Sequence, residues 1–132
     1  MILVDTSVWI DFFANRETSQ VESLVNAIQS REDLCICGVI FTEILQGIKN
    51  KKEHDAVYTT ISTVRFLDMP RDTFILAAEI YRSLRERGIT IRKAIDCMIA
   101  AVAIENNIFL LHNDVDFSHI AKGTNLKIFN SK

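Results

Sequence analysis

The stretch Ile108-Phe-Leu-Leu-His-Asn-Asp-Val-Asp-Phe117 joins four consecutive apolar residues to a polar turn that carries two acids. An apolar run without polar alternation reads as a strand covered on both faces, which is the habit of parallel sheets flanked by helices. The Asn/Asp-rich turn ends that strand, and only a turn fits between Leu111 and Asp114. Asp114 and Asp116 therefore stand at the strand's carboxyl end, where turn chemistry or helix capping also explains acids.

Further short β-rich runs occur at Ile2-Leu-Val4, Leu34-Cys-Ile-Cys37, Arg65-Phe-Leu67 and Leu126-Lys-Ile-Phe129. Helix-length segments separate nearly all of them. Val21, Leu24, Val25 and Ile28 hold helical spacing, as do Phe74, Ala77, Ala78, Tyr81 and Leu84. This alternation predicts an α/β fold: a parallel sheet with right-handed crossovers and helices on both faces. The sole proline, Pro70, suits the first turn of a helix, and Gly123-Thr-Asn125 is the one linker-like spot.

A chain of 132 residues suits a single domain, 1–132, with a core large enough to need no staples. Hydrophobic residues make up 48% and charged ones 24%, with four Gly and one Pro, which excludes disordered and low-complexity classes. The longest apolar run, Cys97 to Ile104, is too short for a membrane span, and the N-terminus lacks a basic lead and cleavage site. A soluble, cytoplasmic protein with no membrane contact is expected. Cys35, Cys37 and Cys97 are odd in number and lack metal-site spacing, so they read as buried small hydrophobes. The net charge of -2 means that any nucleic-acid contact must use a local patch.

Four elements deliver acids to one expected sheet edge, the edge where ligands bind in such folds. Asp5 directly follows the first run and opens Thr6-Ser7-Val8-Trp9-Ile10, where it also suits a helix cap. Glu43 lies a turn or two into the segment after the second run, on the helical side of Gln46, Gly47 and Asn50. Asp96 sits in Ala94-Ile-Asp-Cys-Met-Ile-Ala-Ala-Val-Ala-Ile104, a helix apolar on nearly every face. A buried lone carboxylate there needs a partner, a metal or a raised pKa. With Asp114, these acids would repel one another unless a hard divalent cation such as Mg²⁺ or Mn²⁺ joined them. Such ions activate water and neutralise charge on a scissile phosphate, which favours phosphodiester hydrolysis. His54, His112 and His119 are too scattered to suggest zinc.

Asp5-Thr-Ser7, Thr42-Glu-Ile-Leu-Gln-Gly47, Asp96-Cys-Met-Ile-Ala-Ala101 and Leu111-His-Asn-Asp-Val-Asp-Phe117 occur in an order that resembles the PIN-domain ribonucleases, and within them the VapC-type toxins of toxin-antitoxin pairs. The resemblance spans the whole chain. It implies a PIN-like domain whose parallel sheet has about five strands flanked by helices. It also implies that Asp5, Glu43, Asp96 and Asp114 form a catalytic, metal-binding site for Mg²⁺ or Mn²⁺. Thr6 or Ser7 would support the site by hydrogen bonding, and Asp116 would be a supporting or substitute ligand. Homodimers, an antitoxin that occludes the site, and cleavage of structured RNA such as tRNA are implied too. His112 and Asn113 depart from the family pattern, which often has Thr or Ser and then a basic or small polar residue.

Arg92 and Lys93 precede Asp96 by about one helical turn, which suits a phosphate-steering role toward RNA. Two other readings use the same residues. A receiver-type signalling module would place its phosphoacceptor at Asp68 and want a lysine after the last strand, where the chain reads Asn130-Ser-Lys132. A degenerate PIN-like module would bind a partner or RNA without cutting.

Overall fold

A computed structural model describes residues 1–130; Ser131 and Lys132, the end of the expected domain and the lysine of the receiver reading, lie outside the described residues. The chain runs β1 (Ile2–Val4), α1 (Thr6–Phe13), α2 (Ser19–Gln29), β2 (Leu34–Cys37), α3 (Gly38–Gln46), α4 (Lys51–Ile61), β3 (Arg65–Leu67), α5 (Arg71–Glu86), α6 (Ala94–Glu105), β4 (Phe109–Leu111), α7 (Val115–Gly123) and β5 (Lys127–Ile128). The strands form one sheet in the order β3-β2-β1-β4-β5, and every adjacent pair is parallel. The α/β expectation holds.

Side chains alternate between the faces of a strand, so burial of consecutive residues means cover on both sides. Ile2, Leu3 and Val4 are all essentially buried, and so are Leu110 and Leu111. β3, at one edge, leaves Arg65 and Phe66 exposed. The order of connection reverses at β1, whose neighbours are β2 and β4, and a sheet of this kind opens its crevice at such a reversal.

Helix α6 fills the centre. Cys97, Ile99, Ala100, Ala101, Val102 and Ala103 are each no more than 1% exposed, because α5, α7, α3 and β4 all pack against it. Its small residues let these neighbours approach closely, so its first turn is fixed by close packing. Helix α5 ends where Gly88 adopts φ +80°. Gly88 N–H donates to the Arg85 carbonyl and Ile89 N–H to that of Leu84, a left-handed closure that needs glycine and turns the chain toward α6.

Three boundaries differ from the sequence expectation. Ile108 N–H bonds to the Ala103 carbonyl, closing α6, so the fourth strand starts at Phe109. Leu126 N–H bonds to Thr124 Oγ1, which shortens the edge strand β5. Pro70 is the residue before α5 instead of its first, and its carbonyl accepts from Thr73 N–H at 3.0 Å. Strand order also places Asp68 beyond the end of edge strand β3, two strands away from Asp5, which removes the shared acidic site that a receiver module requires. Among the described residues, no helix is long and apolar enough to cross a membrane.

Candidate active site

Asp5 follows β1 and caps α1. Its Oδ2 accepts from the Ser7 backbone N–H at 3.1 Å and from Ser7 Oγ at 2.6 Å. Ser7 Oγ in turn accepts from Asn113 N–H at 3.1 Å, and Asp5 N–H reaches the Leu111 carbonyl at 2.9 Å. These bonds tie the ends of β1 and β4 together. Asp5 is 5% exposed. Burial pushes its carboxyl above the usual range, while the bonds from Ser7 pull the other way.

Asp114 follows β4 and caps α7, accepting from Asp116 N–H at 3.0 Å. Asp116 is thereby held in the first turn, 4% exposed. Asp96, in the first turn of α6, is 2% exposed, and its Oδ2 is buried without a hydrogen-bond partner. One carboxylate oxygen from each of Asp96, Asp114 and Asp116 lies within 4.8 Å of the others. Burial first, and then the charges of Asp5, Asp114 and Asp116, push Asp96 up to about 7 against the pull of Lys93.

Two cations brace the cluster. Arg92 Nε lies 3.1 Å from Asp116 Oδ2, and its Nη2 lies 3.4 Å from Asp114 Oδ1. Lys93 Nζ is 3.9 Å from Asp96 and 3.8 Å from Asp114. The two side chains expected to steer phosphate are thus paired with carboxylates, and both remain more than half exposed.

Glu43 stands on the second turn of α3, half-buried, and its Oε1 accepts from Thr6 Oγ1 at 2.8 Å. It is joined to the edge through Thr6, and both Glu43 and Asp5 fall outside the tight Asp96, Asp114 and Asp116 group, though the charge of Asp5 still acts on Asp96. Cys37, at the end of β2, is pushed up to about 11 by burial, with the charges of Asp5 and Glu43 adding to the effect. The converging donors of Asp96, Asp114 and Asp116 are all carboxylate oxygens, which suits a hard divalent cation. An unpartnered buried oxygen among converging carboxylates is what a cation-binding centre needs, so these residues fit a metal.

Residues 2–123 match the model of the PIN domain. This chain belongs to the PIN-domain family. Its VapC branch is also shown: the domain is 36% identical over 131 residues to Ribonuclease VapC11 of Mycobacterium tuberculosis, covering 96% of each chain. The PIN domain of this chain is accordingly a ribonuclease of the toxin class. Its backbone is similar to VapBC2 from Rickettsia felis bound to a DNA fragment from their promoter, with TM-score 0.78 and 20% identity over 98% of both chains. It is similar also to VapC20 of Mycobacterium tuberculosis, a sarcin-ricin loop cleaving toxin, with TM-score 0.69 and 20% identity over 93% of this chain and 95% of that one.

From sequence Glu43 is a ligand at this PIN-domain edge and Asp116 a supporting residue; the fold brings Asp116 together with Asp96 and Asp114 and bonds Glu43 to Thr6. The signal for Asp116 was its position in the first turn of a helix capped by Asp114. There its backbone is fixed by the cap and its side chain can turn toward Arg92.

Proposed function

We propose that Asp5, Asp96, Asp114 and Asp116, with Glu43 at the margin, hold Mg²⁺ or Mn²⁺ and that the site hydrolyses phosphodiester bonds in structured RNA such as tRNA. The observation that carries this reading is the buried Asp96 carboxylate, which has one oxygen within 4.8 Å of oxygens of Asp114 and Asp116 and leaves Oδ2 without a hydrogen-bond partner among the described residues. When bound, the cation supplies an activated water and neutralises charge on the scissile phosphate.

The chain's own residues do the rest. Ser7 fixes the Asp5 carboxylate and, through Asn113, the spacing between the ends of β1 and β4. Thr6 orients Glu43 toward the same edge. Arg92 and Lys93 hold the carboxylates against mutual repulsion before a cation enters, and their exposed head groups then lie beside the edge that an RNA phosphate must approach.

The partners follow the same reading. A cognate antitoxin covers the site, as suggested by the VapBC assembly named for the similar structure. A second copy covers the outer side of α5, where Phe74 and Ile75 are 45% and 48% exposed. Purified protein incubated with total cellular RNA tests the activity. Discrete products in Mg²⁺ or Mn²⁺ that vanish in EDTA and with Asp96→Asn are expected. A product pattern indifferent to EDTA, or no products with either metal, contradicts the proposal and favours a binding module.

A further inference from the structure

Beside the acidic edge, a cavity of about 430 Å³ opens between the start of α2, the end of β4, α7 and the segment past β5. That volume falls in the range of roughly 300–1,000 Å³ typical of small-ligand sites. Leu111 and Phe129 contribute apolar surface, and Gln20, Glu22, His112 and Ser118 contribute polar groups. Among the described residues lining it there is no lysine or arginine.

His112 is the wall shared with the acidic cluster. Its Nδ1 accepts the backbone N–H of Asp114 at 3.1 Å, so the ring proton belongs on Nε2. Its ring is held against Phe117, with centroids 5.2 Å apart. A strand whose phosphate reaches Asp114 has its neighbouring nucleoside within reach of this wall.

The lining chemistry selects the part of a nucleotide that belongs there. Among the described lining residues the Glu22 carboxylate has no basic neighbour and disfavours phosphate, whereas Arg92 and Lys93 stand at the acidic cluster. The rings of His112 and Phe129, two side-chain amides, three serine hydroxyls and a carboxylate suit a nucleobase turned out of its stack. Glu22 favours a base edge that presents two adjacent N–H donors, and guanine is the base with that edge.

We infer that this cavity is a base-recognition subsite, with guanine preferred, which seats the nucleotide next to the phosphate cut at the acidic edge. The seat beside the cut phosphate rests on the nuclease reading, whereas binding of a base in the cavity does not. In the first arm, the ¹⁵N–¹H spectrum of the intact protein is followed in EDTA while each of the four nucleoside 5′-monophosphates is added. GMP should shift the Gln20, His112 and Ser118 amides, and should saturate at lower concentration than the other three.

In the second arm, random-sequence RNA is cleaved in Mn²⁺ by wild type and by Glu22→Gln, and the bases flanking each cut are counted. Wild type should favour guanine at one flanking position. Glu22→Gln should reduce that preference about tenfold, the scale of one lost bidentate base contact, while still cutting. Cavity amides unmoved by any nucleotide, or cleavage by both proteins with the same flanking bases, overturns the subsite. GMP shifts at the cavity without cleavage by wild type would keep the subsite and remove the nuclease reading.

Discussion

Two aspartates at the same sheet edge are buried almost equally, Asp5 at 5% exposure and Asp96 at 2%, yet the fold treats them in opposite ways. Asp5 receives two hydrogen bonds on one oxygen from Ser7, two residues along its own chain. Asp96 has Lys93 at 3.9 Å from one oxygen and no hydrogen-bond partner for the other. A cap makes Asp5 part of the scaffold as well as of the site. Asp96 caps no helix, and its one ion-pair partner among the described residues, Lys93, is shared with Asp114. A buried oxygen left unpartnered costs free energy, so its presence points to a partner that arrives from outside.

Substitution should separate the two residues. The largest effect expected is on cleavage: Asp96→Asn should lower kcat/KM by at least about a thousandfold, ~4 kcal/mol of transition-state stabilisation, in a metal-supplemented RNA assay. Asp5→Asn should reduce cleavage as well, since it removes charge from the same edge. The contrast appears in metal-free stability at pH 8. Asp96→Asn, which removes an ionised and poorly partnered group, should raise stability by up to about 3 kcal/mol in denaturant unfolding. Asp5→Ala, which removes a cap, should lower it by about 1 kcal/mol, and Asp5→Asn should stay near wild type because Asn caps equally well. Equal signs for Asp96→Asn and Asp5→Ala would erase the distinction.

The pH dependence sharpens it further. Asp96 titrates near 7 in the folded state against an ordinary value of 3.8, so the native state holds its proton more tightly than the unfolded chain. Its contribution to metal-free stability is therefore complete below about pH 4 and lost as pH rises toward 7. Metal-free unfolding midpoints should fall over that window, and Asp96→Asn should flatten the fall. A divalent cation should stabilise wild type more at pH 8 than at pH 5, because it competes with that proton. The smallest effect expected is at the rim. Arg92→Ala should tighten metal binding severalfold in a calorimetric titration, by removing a competing cation, while raising KM for RNA. Looser metal binding with unchanged KM would make Arg92 a strut alone.

The residues that carry the fold were readable because both physical signals are local. Unbroken apolar runs at Ile2–Val4 and Leu110–Leu111 mark strands covered on both faces, and the alternation with helical spacing then leaves few topologies. Asp96 was readable for a related reason: an acid in an all-apolar helix has few innocent explanations. The rest depends on side-chain direction and on contacts between distant segments. Two acids in the turn after β4 look alike in sequence, and only the cap at Asp114 and the pairing with Arg92 turn Asp116 into the cluster. Arg92 and Lys93 read as a free basic patch because sequence cannot show that they close back onto carboxylates. The cavity beside His112 joins residues a hundred positions apart, so no local pattern announces it.

The most direct measurement is thermal unfolding of wild type and Asp96→Asn at pH 8, with and without saturating Mn²⁺. At a hundredfold excess over Kd the cation should stabilise wild type by about 2.7 kcal/mol. That corresponds to a midpoint rise of roughly 10 °C for a chain of this size, and Asp96→Asn should lose most of it. A wild-type midpoint that ignores Mn²⁺, or an equal rise in both proteins, would contradict a metal centre built around Asp96.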